Sequence, residues 1–239
     1  MNILITGVSK GLGYAIAERF LKEGDTVFGI SRSKNENISY LLKNYNSNFI
    51  WIQFDLFDYK SVKSKIFNEY IGNKPLHAFV NNAAIAYDDL VTNLNIEALI
   101  SMYNVNVFTP MILVKHVIRN MLLHSTPGSI IHISSISAHT GYKGLAMYAS
   151  TKGALEAFSK NTAREWGEKG IRSNCIVAGF METEMSSTLT DEQRNRIYQR
   201  TSLKKPVDIY SVTEAVRFLT KESSKSITGQ NLFIDNGTI

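Results

Sequence analysis

Short apolar runs alternate with segments in which apolar residues recur at helical spacing along most of the chain. The apolar runs predict strands at 2–6, 26–31, 48–54, 78–81, 129–134, 171–178 and 231–235. The other segments predict helices at 12–22, 36–44, 59–70, 96–123 (interrupted by Pro110), 147–169 and 208–220, and a short one after Thr190. This alternation favours βαβ units and a parallel sheet. Right-handed crossovers then make an α/β, doubly wound sheet of about seven strands the expected fold.

The chain is expected to form one domain over residues 1–239, because it contains no repeat and no linker-like stretch. Its length can bury a sizeable core, and 44% hydrophobic with 20% charged residues is ordinary for a soluble globular protein. No signal-peptide pattern opens the sequence and no apolar run reaches the length of a membrane span. We therefore expect a cytoplasmic protein without membrane contact.

Cysteine, histidine and charge exclude several classes of site. Cys175 is the single cysteine, which excludes an internal disulfide framework and favours a reducing compartment. The five histidines have no paired metal-ligand spacing, so we expect no metal site. The net charge of +5 is spread along the chain, which is compatible with an anionic ligand but does not indicate nucleic-acid binding.

A glycine-rich turn, Thr6-Gly7-Val8-Ser9-Lys10-Gly11-Leu12-Gly13, connects the first predicted strand to the first predicted helix. Glycines permit a tight turn, allow a pyrophosphate to approach the backbone and let helix and strand pack closely. The helix N-terminus then faces the phosphates. The turn predicts a dinucleotide site formed by Gly7, Ser9, Lys10, Gly11, Leu12 and Gly13. The alternative is a purely structural turn, since a glycine turn outside this strand–helix context is a weak signal.

The end of the second predicted strand indicates which dinucleotide binds. A carboxylate there would accept hydrogen bonds from a ribose 2′-hydroxyl and repel a 2′-phosphate. The chain instead has Ser31 and Arg32, with Lys10 in the glycine turn. A guanidinium can bind a phosphate bidentately, so we predict NADP(H) rather than NAD(H). The alternative is that Lys10 and Arg32 are merely solvated.

The stretch 133–152 holds the candidate catalytic residues. Tyr148 and Lys152 are one helical turn apart and share a face, and Ser135 follows an apolar strand thirteen residues before the tyrosine. Together they can polarise a carbonyl and protonate it. The same Tyr-x-x-x-Lys spacing recurs at Tyr59/Lys63 and Tyr70/Lys74 without such a serine, which makes those pairs surface residues. The alternative for Tyr148 and Lys152 is an ordinary exposed helix pair.

With these residues in view, the chain resembles the short-chain dehydrogenase/reductase family over its whole length, which implies a Rossmann-type fold. Asn81-Asn82-Ala83-Ala84 resembles the family's Asn-Asn-Ala-Gly motif, and Ala178-Gly179-Phe180-Met181-Glu182-Thr183 resembles its Pro-Gly motif. The resemblance implies that the cofactor contacts Asp55, Leu56, Asn82, Ala83, Tyr148, Lys152, Gly179, Met181 and Thr183. It also implies that Asn106, Ser135, Tyr148 and Lys152 are catalytic. Bacterial 3-oxoacyl-[acyl-carrier-protein] reductases are the most similar members.

These residues suggest how a ketone would be reduced. A phenol with a pKa near 10 is a poor acid at neutral pH, and we expect Lys152 to lower the pKa of Tyr148 by stabilising the phenolate. Tyr148 would donate the proton while NADPH delivers hydride, and Ser135 would hydrogen-bond the carbonyl oxygen. Pro110 has no N–H for the carbonyl of Asn106, which is then free to hold a water. Family members relay protons through such a water and Lys152. The alternative is that Pro110 only kinks its helix.

Two positions depart from the family motifs. Ala84 replaces a glycine, which is unfavourable if the backbone needs a positive φ. Ala178 replaces a proline and loosens the backbone before the nicotinamide loop. Neither change removes a catalytic group.

The sequence leaves the substrate open. A 3-oxoacyl chain on an acidic acyl carrier protein needs basic residues at the mouth of the site. The candidates are Lys169 and a basic cluster in the substrate-covering segment at about 182–207, namely Arg194, Arg196, Arg200, Lys204 and Lys205. The alternative is that this cluster is only a solvated face. A sugar, a polyol precursor or another small ketone, phosphorylated or not, is the second possibility. A non-catalytic NADP(H)-binding protein is a remote third. The resemblance also implies a homodimer or homotetramer.

Overall fold

Seven parallel strands form one sheet within residues 1–183 and 189–239, the part of the chain that the computed structural model describes. They are β1 (Asn2–Thr6), β2 (Thr26–Ser31), β3 (Phe49–Gln53), β4 (Ala78–Asn81), β5 (Gly128–Ser135), β6 (Ile171–Ala178) and β7 (Asn231–Ile234). Their order is β3-β2-β1-β4-β5-β6-β7. The chain therefore reverses direction across the sheet between β1 and β4. In open α/β sheets, ligands bind in the crevice at the carboxyl ends of the strands beside this switch point.

Helices cover both faces of the sheet. They are α1 (Gly11–Lys22), α2 (Glu36–Asn44), α3 (Ile96–Tyr103), α4 (Thr109–Leu123), α5 (Ala146–Trp166), α6 (Asp191–Gln199) and α7 (Ile209–Thr220). Side chains of α1, α2 and α7 pack in one buried cluster, which also contains Ile3 and Ile5 of β1. Side chains of α4 pack in the other, which contains Leu4. Successive residues of β1 thus face opposite layers. The predicted α/β, doubly wound single domain is confirmed.

The helix predicted at 59–70 has a different geometry. A 3₁₀ turn at Tyr59–Ser61 leads into a π-helix at Val62–Ile71. The buried residues of the π-helix are Val62, Ile66, Phe67 and Ile71. Their i, i+4, i+5, i+9 spacing is wider than the i, i+3, i+4, i+7 spacing of an α-helix, and it suits hydrogen bonds to the fifth residue back.

The predicted long helix at 96–123 is interrupted, as expected, just before Pro110. The residues Asn104–Phe108 form a π-helical turn between α3 and α4, and the N–H of Thr109 donates to the carbonyl of Asn104 five residues back. Pro110 has no N–H to donate, which disfavours regular α-helical bonding at this point.

By length and composition alone, the stretch Ile96–Leu123 is apolar enough to cross a membrane, with an 18-residue window of mean hydropathy 1.3. This differs from the expectation that no run is long enough. In the fold, Leu113, Val114, Val117 and Met121 of α4 are buried against the sheet. Such packing is that of a core helix in a globular domain.

The remaining helix ends follow their local sequence. α6 begins with a capping box in which Thr190 and Gln193 exchange side-chain and backbone hydrogen bonds, which confirms the short helix predicted after Thr190. Asp208 caps α7, and Gly170 adopts φ +74° after a 3₁₀ turn that follows α5. Residues 184–188, part of the predicted substrate-covering segment, lie outside the described residues.

Candidate active site

A cleft of about 1100 Å³ opens at the carboxyl ends of the strands. Every residue predicted for the site lines it, with the exception of Asn106. The cleft-lining members of the prediction are Gly7, Ser9, Lys10, Gly11, Leu12, Gly13, Ser31, Arg32, Asp55, Leu56, Asn82, Ala83, Ser135, Tyr148, Lys152, Gly179, Met181 and Thr183. The two other Tyr-x-x-x-Lys pairs, Tyr59/Lys63 and Tyr70/Lys74, do not line it. The fold therefore joins the predicted nucleotide and catalytic groups in one space.

The glycine turn is shaped as a nucleotide cradle requires. Gly7 and Gly11 have φ of +78° and +55°, values that residues with a side chain rarely adopt. A Cβ on Gly13 would lie 2.1 Å from the carbonyl oxygen of Gly7. The glycines thus keep the first turn of α1 close to β1, and the residues present fit a dinucleotide.

Asn82 holds this turn from the neighbouring strand. Its backbone N–H donates to Thr6 Oγ1 at 3.0 Å, and its Nδ2 donates to the carbonyl of Thr6 at 3.0 Å. The N–H of Ala83 also donates to Thr6 Oγ1, at 3.0 Å. The motif after β4 therefore braces the end of β1, in addition to lining the cleft.

The adenosine end of the cleft differs from expectation at Ser31. The Ser31 hydroxyl donates to the carbonyl of Ser33 at 3.2 Å and accepts a 2.9 Å hydrogen bond from Trp51 Nε1. It is largely committed within the protein and offers at most one lone pair to a ligand. Arg32 and Lys10 are exposed and line the same cleft.

Asp55 and Leu56 line the cleft beyond β3. Asp55 Oδ1 accepts a hydrogen bond from the N–H of Phe57 at 3.0 Å. The carbonyl of Leu56 accepts one from Thr109 Oγ1 at 2.6 Å. These bonds fix the loop through which the resemblance predicts adenine contacts.

The loop after β6 lies across the cleft from the glycine turn. A Cβ on Gly11 would lie 3.8 Å from Thr183 Cγ2. A Cβ on Gly179 would lie 2.8 Å from the Cα of Asp235, so only glycine permits this close crossing with the chain end. The nicotinamide loop that the resemblance predicts thus adjoins the phosphate cradle.

The catalytic candidates meet where β5 ends and α5 begins. Lys152 Nζ donates a 2.8 Å hydrogen bond to the carbonyl of Ile133, and it lies 5.5 Å from the centroid of the Tyr148 ring. Ser135, the last residue of β5, accepts hydrogen bonds from the N–H and the hydroxyl of Ser137 at 3.2 and 3.0 Å. Ser135 keeps its own hydroxyl proton available to donate to a carbonyl oxygen.

The expectation that Lys152 lowers the pKa of Tyr148 is wrong for this structure. Burial of the phenol, and then the negative charge of Asp88, raise the pKa of Tyr148 to about 12. Burial lowers the pKa of Lys152 to about 8, only partly offset by Cys175 and Glu156. Desolvation is the largest cause of both shifts, and neither residue is among the causes of the other's shift. Asp88 also lines the cleft, and burial raises the pKa of its carboxyl.

Asn106 is buried behind the cleft rather than exposed in it. Its Oδ1 accepts from the N–H of Ile85 at 2.9 Å, and its Nδ2 donates to the carbonyl of Ile85 at 2.8 Å and to Thr151 Oγ1 at 3.1 Å. The side chain therefore links the loop after β4 to α5. The side chain of Asn106 is therefore occupied, and the main-chain carbonyl is the group of this residue that remains for a catalytic role.

A buried carboxylate next to the catalytic residues was not predicted. Glu156 accepts hydrogen bonds from the Ser134 hydroxyl and, at 2.7 Å, from Asn231 Nδ2, and it lies 2.8 Å from His139 Nε2. It thus connects α5 to β5, β7 and the turn after β5. Its position one helical turn after Lys152 was the available signal, because both residues then share a face of α5.

The two departures from the family motifs cause no strain. Ala84 is not among the residues with a positive φ, so its methyl group fits. Ala178 ends β6 and is paired in register with Ser135 on one side and Ile234 on the other. Sheet pairing therefore restrains the backbone that a proline ring would otherwise stiffen.

Lys169 lies away from the cleft of its own chain. It borders a separate pocket of about 270 Å³ with Ser125 and Thr126. These residues precede β5 and β6, whereas Ser135 lies at the opposite end of β5. Arg196 and Arg200, on the other hand, do line the cleft. Of the predicted basic candidates, Arg196 and Arg200 line the cleft, whereas Lys169, Arg194, Lys204 and Lys205 do not.

Comparison with known proteins agrees with this geometry. The sequence profile of the family described as Enoyl-(Acyl carrier protein) reductase matches residues 7–238. The 3-oxoacyl-[acyl-carrier-protein] reductase FabG of Salmonella typhimurium (strain LT2) is 33% identical over 236 residues, which span 98% of this chain and 95% of that protein. The chain belongs to the short-chain dehydrogenase/reductase family. It is accordingly an oxidoreductase that interconverts CH–OH and C=O groups with a nicotinamide nucleotide.

Among further similar proteins, one structure has NADP bound and another is complexed with NADH. FabG of Chlamydia trachomatis serovar D is 31% identical over 239 residues, covering 98% of this chain and 95% of that protein. The structure of ElxO with NADP bound has a TM-score of 0.89 at 31% identity, covering 99% of this chain and 98% of that one. A 4-hydroxyisoleucine dehydrogenase complexed with NADH has a TM-score of 0.93 at 24% identity, with 99% and 98% covered, and shares the fold.

Proposed function

We propose that this protein is an NADPH-dependent ketone reductase, with a 3-oxoacyl chain on an acyl carrier protein as its first candidate substrate. One observation carries the proposal: Ser135, Tyr148 and Lys152 open into the same cleft as the glycine turn. A non-catalytic NADP(H)-binding protein would have no need of this set beside the nicotinamide end of the cleft.

The cofactor would be held by the glycine turn at its phosphates, by Asp55 and Leu56 at adenine, and by the loop from Gly179 to Thr183 at nicotinamide. Lys152 would also bind the nicotinamide ribose, as the family resemblance implies. When bound, NADPH supplies the hydride. Every other step is carried out by residues of this protein.

Tyr148 is the proton donor in this proposal. Its raised pKa, about 12, keeps the phenol protonated at neutral pH, which is the state that reduction requires. Ser135 donates a hydrogen bond to the carbonyl oxygen and stabilises the negative charge that develops there. Lys152, held at the carbonyl of Ile133 and 5.5 Å from the centroid of the Tyr148 ring, provides positive charge near the phenol as it loses its proton.

The main chain at Asn106 extends the proton path. Pro110 supplies no N–H to the carbonyl of Asn106, and the π-helical turn Asn104–Phe108 already departs from regular α-helical bonding. In this proposal that carbonyl accepts a hydrogen bond from a water, and the water passes protons to Lys152. The buried side chain fixes the carbonyl in place through Ile85 and Thr151.

NADPH is favoured over NADH by the charges at the adenosine end. Arg32 and Lys10 line the cleft there, and a guanidinium suits a 2′-phosphate. ElxO, 31% identical, has NADP bound. The hydroxyl of Ser31 contributes less than its position in the sequence predicts, because Trp51 and Ser33 already engage it.

The substrate class rests on the relatives and on the cleft mouth. Relatives 33% and 31% identical are named 3-oxoacyl-[acyl-carrier-protein] reductase. The role that this proposal implies for the protein is in fatty acid biosynthesis. A sugar, a polyol precursor or another small ketone is the alternative, and the arginines Arg196 and Arg200 at the mouth favour one that carries an anionic group.

We also propose a cytoplasmic homodimer or homotetramer, as is usual in the family. Support comes from apolar side chains exposed on the helices after β4: Ile96 (53%), Ile100 (51%), Phe108 (48%) and Leu123 (74%). Light scattering on the purified protein measures this directly, and a monomer at micromolar concentration would contradict it.

The function is tested by following NADPH oxidation with a panel of acceptors. The panel holds an acetoacetyl thioester on an acyl carrier protein, small ketones, sugars and a crotonyl thioester, the last because the matching family profile is described as an enoyl reductase. We expect the acetoacetyl thioester to be reduced most efficiently. Reduction of only a small ketone or sugar would select the alternative, and reduction of none would overturn the proposal.

A further inference from the structure

The inner face of α6 is basic where it meets the cleft. Gln193, Arg196, Ile197 and Arg200 line the cleft, and their i, i+3, i+4, i+7 spacing places them on one face of the helix or its C-terminal cap. Asp191 and Glu192 do not line it. Arg196 and Arg200 therefore face the cleft, whereas Arg194 and the two carboxylates do not line it.

Arg196 and Arg200 differ in whether they already form an ion pair within the protein. Arg196 forms a 2.6 Å ion pair with Glu192. Arg200 forms no ion pair with an acidic side chain of residues 1–183 or 189–239, and neither does Lys143. Lys143 lines the cleft from the loop between β5 and α5. Arg200 and Lys143 are thus two cations of the cleft lining whose charge no acidic side chain of the described residues compensates.

Tyr142 lies beside Arg200. Burial raises the pKa of the Tyr142 phenol, and the positive charge of Arg200 offsets part of that rise. Tyr142 lines the cleft too. A guanidinium, an ammonium and a phenolic O–H together offer several hydrogen-bond donors, the arrangement that binds carboxylate or phosphate oxygens.

A negatively charged residue, Asp88, lies near the proposed proton donor Tyr148. Asp88 lines the cleft and acts electrostatically on Tyr148. A substrate with a negative group would be repelled by Asp88 and attracted by Arg200 and Lys143. The cleft therefore orients an anionic ketone with its carbonyl at Tyr148 and its anionic group at the end of α6.

We propose that Arg200, Lys143 and Tyr142 form a subsite for a carboxylate or phosphate carried by the substrate at a distance from its reacting carbonyl. This inference rests on the proposed reductase function and narrows its substrates to anionic ones. Two sources share this chemistry: the phosphate of a phosphopantetheine arm, and the anionic group of a small keto acid or phosphorylated ketone.

Paired substrates that differ in one charge test the subsite. The first pair is 4-oxopentanoate and its methyl ester; the second is acetoacetyl-phosphopantetheine and acetoacetyl-pantetheine. Steady-state NADPH oxidation gives kcat and KM for each, with wild type, Arg200→Gln and Arg200→Lys. Lys205→Gln is the control, since it removes one positive charge from the same segment without touching the cleft lining.

We expect wild type to have a KM about tenfold or more lower for the anionic member of at least one pair, the size of one charge-assisted hydrogen bond. Arg200→Gln should abolish that difference with kcat largely kept, Arg200→Lys should restore part of it, and Lys205→Gln should leave it unchanged. A preference confined to the pantetheine pair would show that the subsite binds the phosphate of a phosphopantetheine arm. A preference seen with 4-oxopentanoate would show that it binds the anionic group of a small keto acid.

A binding measurement separates this inference from the proposed function. Both members of the first pair are titrated calorimetrically into wild type and Arg200→Gln, with and without NADP⁺. Preferential binding of the acid that depends on Arg200 supports the subsite even if no ketone is reduced, a result that would overturn the reductase alone. Equal affinity and equal KM for the charged and neutral members of both pairs would overturn the subsite and leave the reductase standing.

Discussion

Lys152 donates a 2.8 Å hydrogen bond from Nζ to the carbonyl oxygen of Ile133. This bond joins α5 to the end of β5, two residues before Ser135. Tyr148 precedes Lys152 by one helical turn, so the same contact brings the phenol to the strand end. The three catalytic candidates therefore share one cleft because a buried amine is held at a strand carbonyl.

That buried amine should reduce the stability of the free protein. The pKa of Lys152 falls from 10.5 to about 8 on burial. Between about pH 8 and pH 10.5 the unfolded chain binds more protons than the folded one, so the free energy of unfolding rises with pH through this window. Below pH 8 the buried amine lowers the free energy of unfolding by its full amount, about 3 kcal/mol for a pKa shift of this size.

Lys152→Met should therefore unfold at higher urea concentration than wild type at pH 7, although it should be inactive. We expect a gain of about 2 kcal/mol, since about 1 kcal/mol is lost with the hydrogen bond to Ile133. The gain should shrink as the pH rises from 8 towards 10.5. Parallel stability curves for the two proteins across that window would contradict the account.

Gly13→Ala should damage the nucleotide cradle. A Cβ at this position would lie 2.1 Å from the carbonyl oxygen of Gly7 and 2.5 Å from Asn82 Nδ2, so the turn must move. Overpacking of this kind costs about 1–3 kcal/mol, and we expect NADPH affinity, measured by fluorescence titration, to fall about tenfold or more.

Gly167→Ala is the matched control, because Gly167 has φ −58° and a Cβ there meets nothing within 4 Å. That variant should bind NADPH like wild type and be equally or slightly more stable. Unchanged NADPH affinity in Gly13→Ala would argue against phosphate binding at this turn.

Arg32→Asp should reverse the cofactor preference. The substitution replaces a cation at the adenosine end of the cleft with a carboxylate, which repels a 2′-phosphate and can accept hydrogen bonds from a ribose 2′-hydroxyl. We expect the ratio of kcat/KM for NADPH to that for NADH to fall at least about tenfold. Lys34→Gln, a nearby change outside the cleft lining, should keep the wild-type ratio. Equal efficiency with both cofactors in wild type would mean that Arg32 is only solvated.

Local sequence patterns were enough to predict most of the fold. Strands such as β1 and β5 are short apolar runs, and the turn from Gly7 to Gly13 marks the nucleotide end by residue type alone. The π-helix Val62–Ile71 escaped prediction because its apolar spacing differs from the α-helical period by only one residue per turn.

The electrostatics of the site depended on contacts far apart in sequence. Asp88, sixty residues before Tyr148, contributes to the raised pKa of the phenol, and burial contributes more. Trp51 engages the hydroxyl of Ser31 from the neighbouring strand. Neither partner can be chosen from sequence spacing, because the sheet register decides which side chains meet.

The phenol of Tyr148 is the group on which the proposed chemistry depends. Tyr148→Phe removes one oxygen and leaves the ring, the glycine turn and Lys152 in place, so NADPH should bind with wild-type affinity by fluorescence titration. Ketone reduction, measured in the same preparation with the best acceptor of the panel, should fall by a factor of about a hundred or more, the lower range for a lost general acid. Wild-type turnover by Tyr148→Phe would contradict the proposed mechanism.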